Sequence, residues 1–313
     1  MDWDYHDKNM QKILALYKKA NNKIKNHIQE YIDTFKFNNE NIYEIADKKR
    51  INQYIDEWND KGLLKGYFGY LVNNIRKRTK VTNMEILELL VYASYVEAQS
   101  DIEKEQNNII KDEVNYYYEE GQTEVIKAKK IKRKPSIIED AIFLALLSEL
   151  TSNGYSIDTY IETRIFTEAQ IITKQIYINI TQGNDLNIYA EDFTAIFNRN
   201  LNKVININNN KISGTMDNII LGLDTMAKCK GMEYIDKDAK YKILAHTDER
   251  TTKMCDSLDG QVFSINKENE FYRYSQSHQG IIKVKCRGMV LGLNLPPIND
   301  NFHWCRSTIT YQV

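Results

Sequence analysis

Only three prolines, Pro135, Pro296 and Pro297, occur in 313 residues, and none precedes position 135. Proline removes a backbone donor and clashes with the preceding helical turn, so a long stretch without it is free to form long helices. The apolar pattern uses that freedom. From Ile13 the residues Leu16, Tyr17, Ala20, Ile24, Ile28, Tyr31 and Phe35 recur at steps of three and four, which places one apolar stripe on a helix and requires a partner helix to cover it. The same spacing predicts a second helix over Glu40 to Trp58 and a third over Leu63 to Arg78. Thr82 followed by Glu85 has the spacing of a capping box, in which each side chain satisfies a free amide at a helix start. The segment "MEILELLVYASYVEAQ" that follows is apolar on most sides, so it is predicted at the centre of a helical bundle, with Gly121 as the end cap of its helix.

The run "KAKKIKRKP" comes next, with basic residues at Lys127, Lys129, Lys130, Lys132, Arg133 and Lys134. Two readings stay open for it. A basic run attracts phosphates, which gives a DNA contact that weakens steeply with salt; an exposed linker with a solvated face explains the same residues. Ser136 with Glu139 repeats the capping-box spacing and opens a predicted helix that ends at Gly154. Further helices are predicted over Asp158 to Thr181, Tyr189 to Ile207 and Ser213 to Lys228. Around Gly231 the helical period stops, and "KYKILAHTD" alternates like a strand, with Tyr241, Ile243 and Ala245 on one face. The fold class expected is mainly α: a long-helix N-terminal bundle (1–134), a second helical region (135–230) and a small α+β C-terminal module (231–313).

Charge and cysteine usage narrow the chemistry. Forty-two Lys and Arg against 43 Asp and Glu give a formal charge of −1, so net charge forces neither a nucleic-acid nor a membrane partner. No apolar run reaches the roughly 20 residues that a spanning helix needs, and "MDWDYHDKNM" lacks the order of a signal peptide; synthesis in the cytosol is the expectation. The cysteines, Cys229, Cys255, Cys286 and Cys305, crowd toward the C-terminus, unlike a cysteine-dense secreted scaffold, which points to free thiols or a metal site.

The run "DERTTKMCDSLDGQVF", followed after an insertion by "LPPINDNFHWCRSTI", resembles the signature of the phage head-morphogenesis family, the Mu F-like minor head proteins. In that family an Asp-x-Arg-Thr stretch precedes Cys-x-x-Leu-Asp-Gly, and a later Pro-Pro leads to a His and a Cys-Arg pair. Asp248, Arg250, Thr251, Cys255, Leu258, Asp259, Gly260, Phe263, Pro296, Pro297, His303, Cys305 and Arg306 match. The likeness is specific to the last quarter of the chain. It implies a minor structural component of a tailed-phage or prophage head that acts near the portal and has no turnover. Its implied partners are the portal protein and the major capsid or scaffold protein; its implied location is the head interior or portal vertex, after assembly in the bacterial cytoplasm.

The same residues carry three local readings. Cys255, Cys286, His303 and Cys305 are of the types that hold a structural zinc, although Thr252 stands where many relatives complete a Cys-x-x-Cys, and only Trp304 separates His303 from Cys305. Otherwise Cys255 is a small buried apolar group. Asp259 and Gly260 suit a hairpin turn between "KMCDSL" and "QVFSI", with Asp248, Arg250 and Arg306 tying neighbouring loops by charge-assisted hydrogen bonds. The alternative function is a metal- or thiol-dependent enzyme that uses His246, Cys255, His303 and Cys305.

Overall fold

The computed structural model describes residues 2–148, 157–183, 215–245, 258–266, 268–275, 280–287 and 308–313. The protein is mainly helical, with a small antiparallel sheet near its C-terminus. The described helices are α1 (Trp3–Phe35), α2 (Lys48–Asp60), α3 (Gly66–Lys77), α4 (Asn83–Ala128), α5 (Asp140–Ser148), α6 (Ile157–Gln182) and α7 (Thr215–Ile235). The strands are β1 (Lys240–Leu244), β2 (Val262–Ser264), β3 (Glu268–Ser275), β4 (Gly280–Arg287) and β5 (Thr308–Gln312). The predicted helices over 189–207 and the end at Gly154 lie outside the described residues.

The chain forms two compact units. One comprises Met1–Gln11, Asn108–Tyr160 and Ile205–Val313; the other comprises Lys12–Asn107 and Ile161–Val204. Both α1 and α4 supply residues to the two units.

In the unit of Lys12–Asn107 and Ile161–Val204, the α1 stripe is buried as its spacing requires, with Ile13, Tyr17, Ile24 and Ile28 essentially without exposure. Tyr17 donates to Gln106 Oε1 at 2.6 Å, so its buried hydroxyl has a partner. Ile51, Ile55 and Trp58 supply the buried face of α2, and Trp58 packs against Phe68 of α3 with ring centroids 5.3 Å apart. The second helix begins later than its apolar pattern suggests. Asn38 and Asn41 bond to nearby backbone instead, the local competition that disfavours asparagine in helix interiors. Asp47 then caps α2 by accepting from the Lys49 amide at 2.9 Å. The capping box at the start of α4 forms: the Thr82 amide donates to Glu85 Oε2 at 2.9 Å, and the Glu85 amide donates to Thr82 Oγ1 at 3.4 Å.

In the unit that contains both chain ends, three sequence expectations change. Gly121 does not end its helix, which runs on to Ala128. A side chain on Gly121 would collide with the Lys228 carbonyl of α7, and one on Gly231 would collide with the Tyr118 carbonyl of α4. The two glycines let α4 and α7 cross with their backbones almost touching, and this outweighs the roughly 1 kcal/mol that glycine costs in a helix interior. For the same reason α7 passes through Gly231 to Ile235. Ser136 caps no helix. Its amide donates to Gln122 Oε1 at 3.0 Å and its carbonyl accepts from Gln122 Nε2 at 2.7 Å, and the helix starts at Asp140 with the Glu139 carbonyl accepting from the amides of Ile142 and Phe143.

The three-stranded sheet has the order β2-β1-β5, all antiparallel, and β3 pairs with β4 in a separate two-stranded ladder. Tyr241 and Ile243 of β1 are buried, as their alternation predicts, whereas Ala245 lies just beyond the strand. One face of the sheet joins a core made of Val125 from α4, Cys229 and Met232 from α7, Leu258, Phe263, Ile265 and Ile309.

Candidate functional site

The described part of the C-terminal motif is architectural. Leu258 and Phe263 are buried in the sheet core. Gly260 adopts φ +75°, a left-handed conformation that glycine takes without strain, and its amide donates to the Ile243 carbonyl at 2.9 Å. Asp259 Oδ1 accepts from the Ala245 amide at 2.8 Å and so closes the end of β1. The turn is therefore made by the residues expected: Leu258 before it is helical, β2 after it pairs with β1, and residues 253–257 of the expected first strand lie outside the described residues. Asp248, Arg250, Thr251, Cys255, Pro296, Pro297, His303, Cys305 and Arg306, together with His246, lie outside the described residues. Cys286 stands opposite Asn269 in the β3–β4 ladder. Of the cysteines, Cys229 is buried among the core residues, and burial pushes its thiol up to about 12, which leaves it a thiol rather than a reactive thiolate.

The last strand is stitched to the helices by carboxylates. Glu124 of α4 accepts from the Tyr311 amide at 2.7 Å and from Thr310 Oγ1 at 3.1 Å through one oxygen, and pairs with Lys228 Nζ at 2.7 Å through the other. Asp236 accepts from Tyr311 Oη at 2.9 Å and pairs with Lys129 at 2.6 Å. Burial raises the Asp236 carboxyl, but the bonds from Lys129, Tyr311 and the Asp238 amide prevail and hold it below its ordinary value.

The basic run is exposed at Lys127, Lys129, Lys130, Lys132, Arg133 and Lys134. Two of the six are engaged within the fold. Lys129 pairs with Asp236, and the Arg133 guanidinium lies 4.8 Å over the Tyr234 ring while donating to its hydroxyl at 2.9 Å. The segment is not a free tether: it is held at its far end by the Gln122–Ser136 pairing and by the Ile138 amide, which donates to Asn115 Oδ1 at 2.8 Å.

Among the described residues, His6, Glu113 and Asp224 from α1, α4 and α7 form a buried titratable cluster. All three are at most 1% exposed. His6 Nδ1 is 2.5 Å from Glu113 Oε1 and 3.4 Å from Asp224 Oδ2. The start of α1 is fixed where this requires: Asp2 accepts from the Tyr5 amide at 3.1 Å, and Tyr117 Oη of α4 donates to the Asp2 carbonyl at 2.9 Å. On α7 the order Asp224, Lys228, Gly231 follows helical spacing, so the acid, the base and the close-approach glycine share one face. Burial drives the Asp224 carboxyl well above its ordinary value; the Glu113 charge adds to this, and His6 opposes it. Glu113 Oε2 and both Asp224 oxygens have no hydrogen-bond partner among the described residues. The signal available in the sequence is weak: an acid mid-way along one helix and a histidine in the first turns of another, each more than a hundred residues from Glu113. No protein-family model, curated protein or solved structure matches this chain.

Proposed function

We propose that this protein is a minor structural component of a tailed-phage or prophage head, assembled near the portal and contacting the portal protein and the major capsid or scaffold protein. The observation that carries the reading is the ordered pair of C-terminal motifs, Asp248 to Phe263 and Pro296 to Arg306. Its described residues support it in kind. Leu258 and Phe263 fill a core, Gly260 turns the chain and Asp259 closes a strand end, all structural tasks. A DNA contact and a part in DNA delivery rest on the exposed basic run, where Lys127, Lys130, Lys132 and Lys134 point charge at solvent.

The test is quantitative mass spectrometry of particles released after prophage induction, with peptides of this chain counted against the portal and major capsid proteins. A low, fixed ratio near that of the portal is expected. Absence from both intact particles and assembly intermediates would overturn the reading.

A further inference from the structure

We propose that His6, Glu113 and Asp224 bind one divalent transition-metal cation. The three residues offer one ligand atom each, and these atoms all lie within 4.8 Å of one another. Ligands held about 2.1 Å from an ion stand about 3 to 3.4 Å apart at right-angle to tetrahedral geometry. The 3.4 Å separation of His6 Nδ1 and Asp224 Oδ2 already has that spacing. The 2.5 Å separation of His6 Nδ1 and Glu113 Oε1 is a hydrogen bond, and the ion replaces its proton.

The charge balance favours the same conclusion. Glu113 and Asp224 place two carboxyl groups beside one imidazole in a fully buried site. Lys228, the nearest buried cation on α7, pairs with Glu120 and Glu124 instead. A neutral imidazole and two carboxylates sum to two negative charges, which a divalent ion cancels. Such an ion also supplies a partner to a buried Asp224 oxygen that otherwise lacks a hydrogen bond. An imidazole nitrogen beside carboxylate oxygens suits zinc, manganese, iron or cobalt better than the all-oxygen surroundings that calcium and magnesium prefer. Because one ligand comes from each of α1, α4 and α7, the ion joins the chain start to two distant helices, a structural role like that of zinc in small domains.

The full chain, stripped with chelator and equilibrated with Zn2+ or Co2+, tests the assignment. One ion per chain is expected, with a rise in melting temperature of roughly 5 °C at saturating metal and a much smaller response to Mg2+. Asp224→Asn preserves shape and removes a charged ligand; it is expected to lose the ion and the shift, and Glu113→Gln serves as the second variant if the first folds poorly. The Co2+ spectrum separates this site from the cysteines, because nitrogen and oxygen ligands give visible bands without the intense near-ultraviolet thiolate band. Failure of the wild-type chain to retain an ion, retention undiminished in both variants, or a thiolate spectrum would each overturn the proposal.

Discussion

Two histidines of α1, His6 and His27, each meet a glutamate of α4, Glu113 and Glu97, in different units of the chain, and the third residue of each cluster makes the difference. Beside His27 and Glu97 stands Lys61, whose Nζ is 2.9 Å from Glu97 Oε1, while His27 Nδ1 is 3.0 Å from Oε2. Lys61 remains more than half exposed. Beside His6 and Glu113 stands an acid, Asp224, and nothing in that cluster reaches solvent. The consequence appears in the carboxyl groups. Burial raises Glu97, yet the contacts with His27 and Lys61 outweigh it and the net direction is down; burial and a second carboxylate raise Asp224, and one histidine does not compensate. Similar residues on the same two helices therefore hold a carboxyl down in one unit and leave a carboxyl raised in the other.

The largest effect is expected from breaking what brings Asp224 to α4. Gly121→Val places a branched side chain against the Lys228 backbone carbonyl, which has no rotamer with which to yield, so a cost of at least about 3 kcal/mol is expected. Hydrogen exchange followed by peptide should show protection lost across α7 and β1 while peptides of α2 and α3 keep theirs. Full protection of α7 in the variant would mean that the close crossing is not what holds it, and the contrast between the clusters would need another origin.

A smaller effect sharpens the other half of the comparison. Glu97→Gln keeps the shape and removes the charge that His27 and Lys61 share, at an expected cost of about 2 kcal/mol near neutral pH. The pH dependence follows from the direction of the shift. Because the folded-state carboxyl is lowered from its ordinary 4.5, its contribution is fully present above that value and is lost as the pH falls through the lowered one. Urea denaturation of both proteins from neutral to acid pH should therefore show the wild-type advantage shrink below about pH 4.5. An advantage that stays constant into strong acid would show that Glu97 acts by packing rather than by charge.

How much of this was legible in the sequence depends on the range of the interaction. The α1 stripe, the Thr82–Glu85 capping box and the alternation of Tyr241 and Ile243 are set within a few residues, and each was readable and is present. Gly121 and Gly231 look like stops because a glycine inside a helix costs stability on local grounds alone; the partner helix explains them. Ser136 has the local spacing of a cap because Glu139 stands three residues on, but Gln122, 14 residues back, takes its backbone groups first. The same limit hid the buried cluster. His6 is separated from Glu113 by 107 positions, and nothing in the local pattern of either residue announces the other. The C-terminal motif shows the converse: Asp259 and Gly260 act within one turn, so their task and the strand after them could be inferred, while the pairing of that strand with β1 could not.

The smallest effect tests whether the base is what makes the His27 cluster complete. Lys61→Met keeps the aliphatic stem and deletes the ammonium. Because Lys61 is largely exposed, solvent screens its attraction to Glu97, and the expected loss is below about 1 kcal/mol. Its more telling consequence is on the acid side. The Lys61 hydrogen bond and charge are among the forces that hold Glu97 down; without them burial gains ground and the carboxyl moves up, toward the behaviour of Asp224. Following the Glu97 carboxyl by carbon-13 NMR through an acid titration should show its midpoint rise in the variant. A midpoint that does not move would assign the depression to His27 alone, and the two clusters would then differ by the added acid in one rather than by the added base in the other.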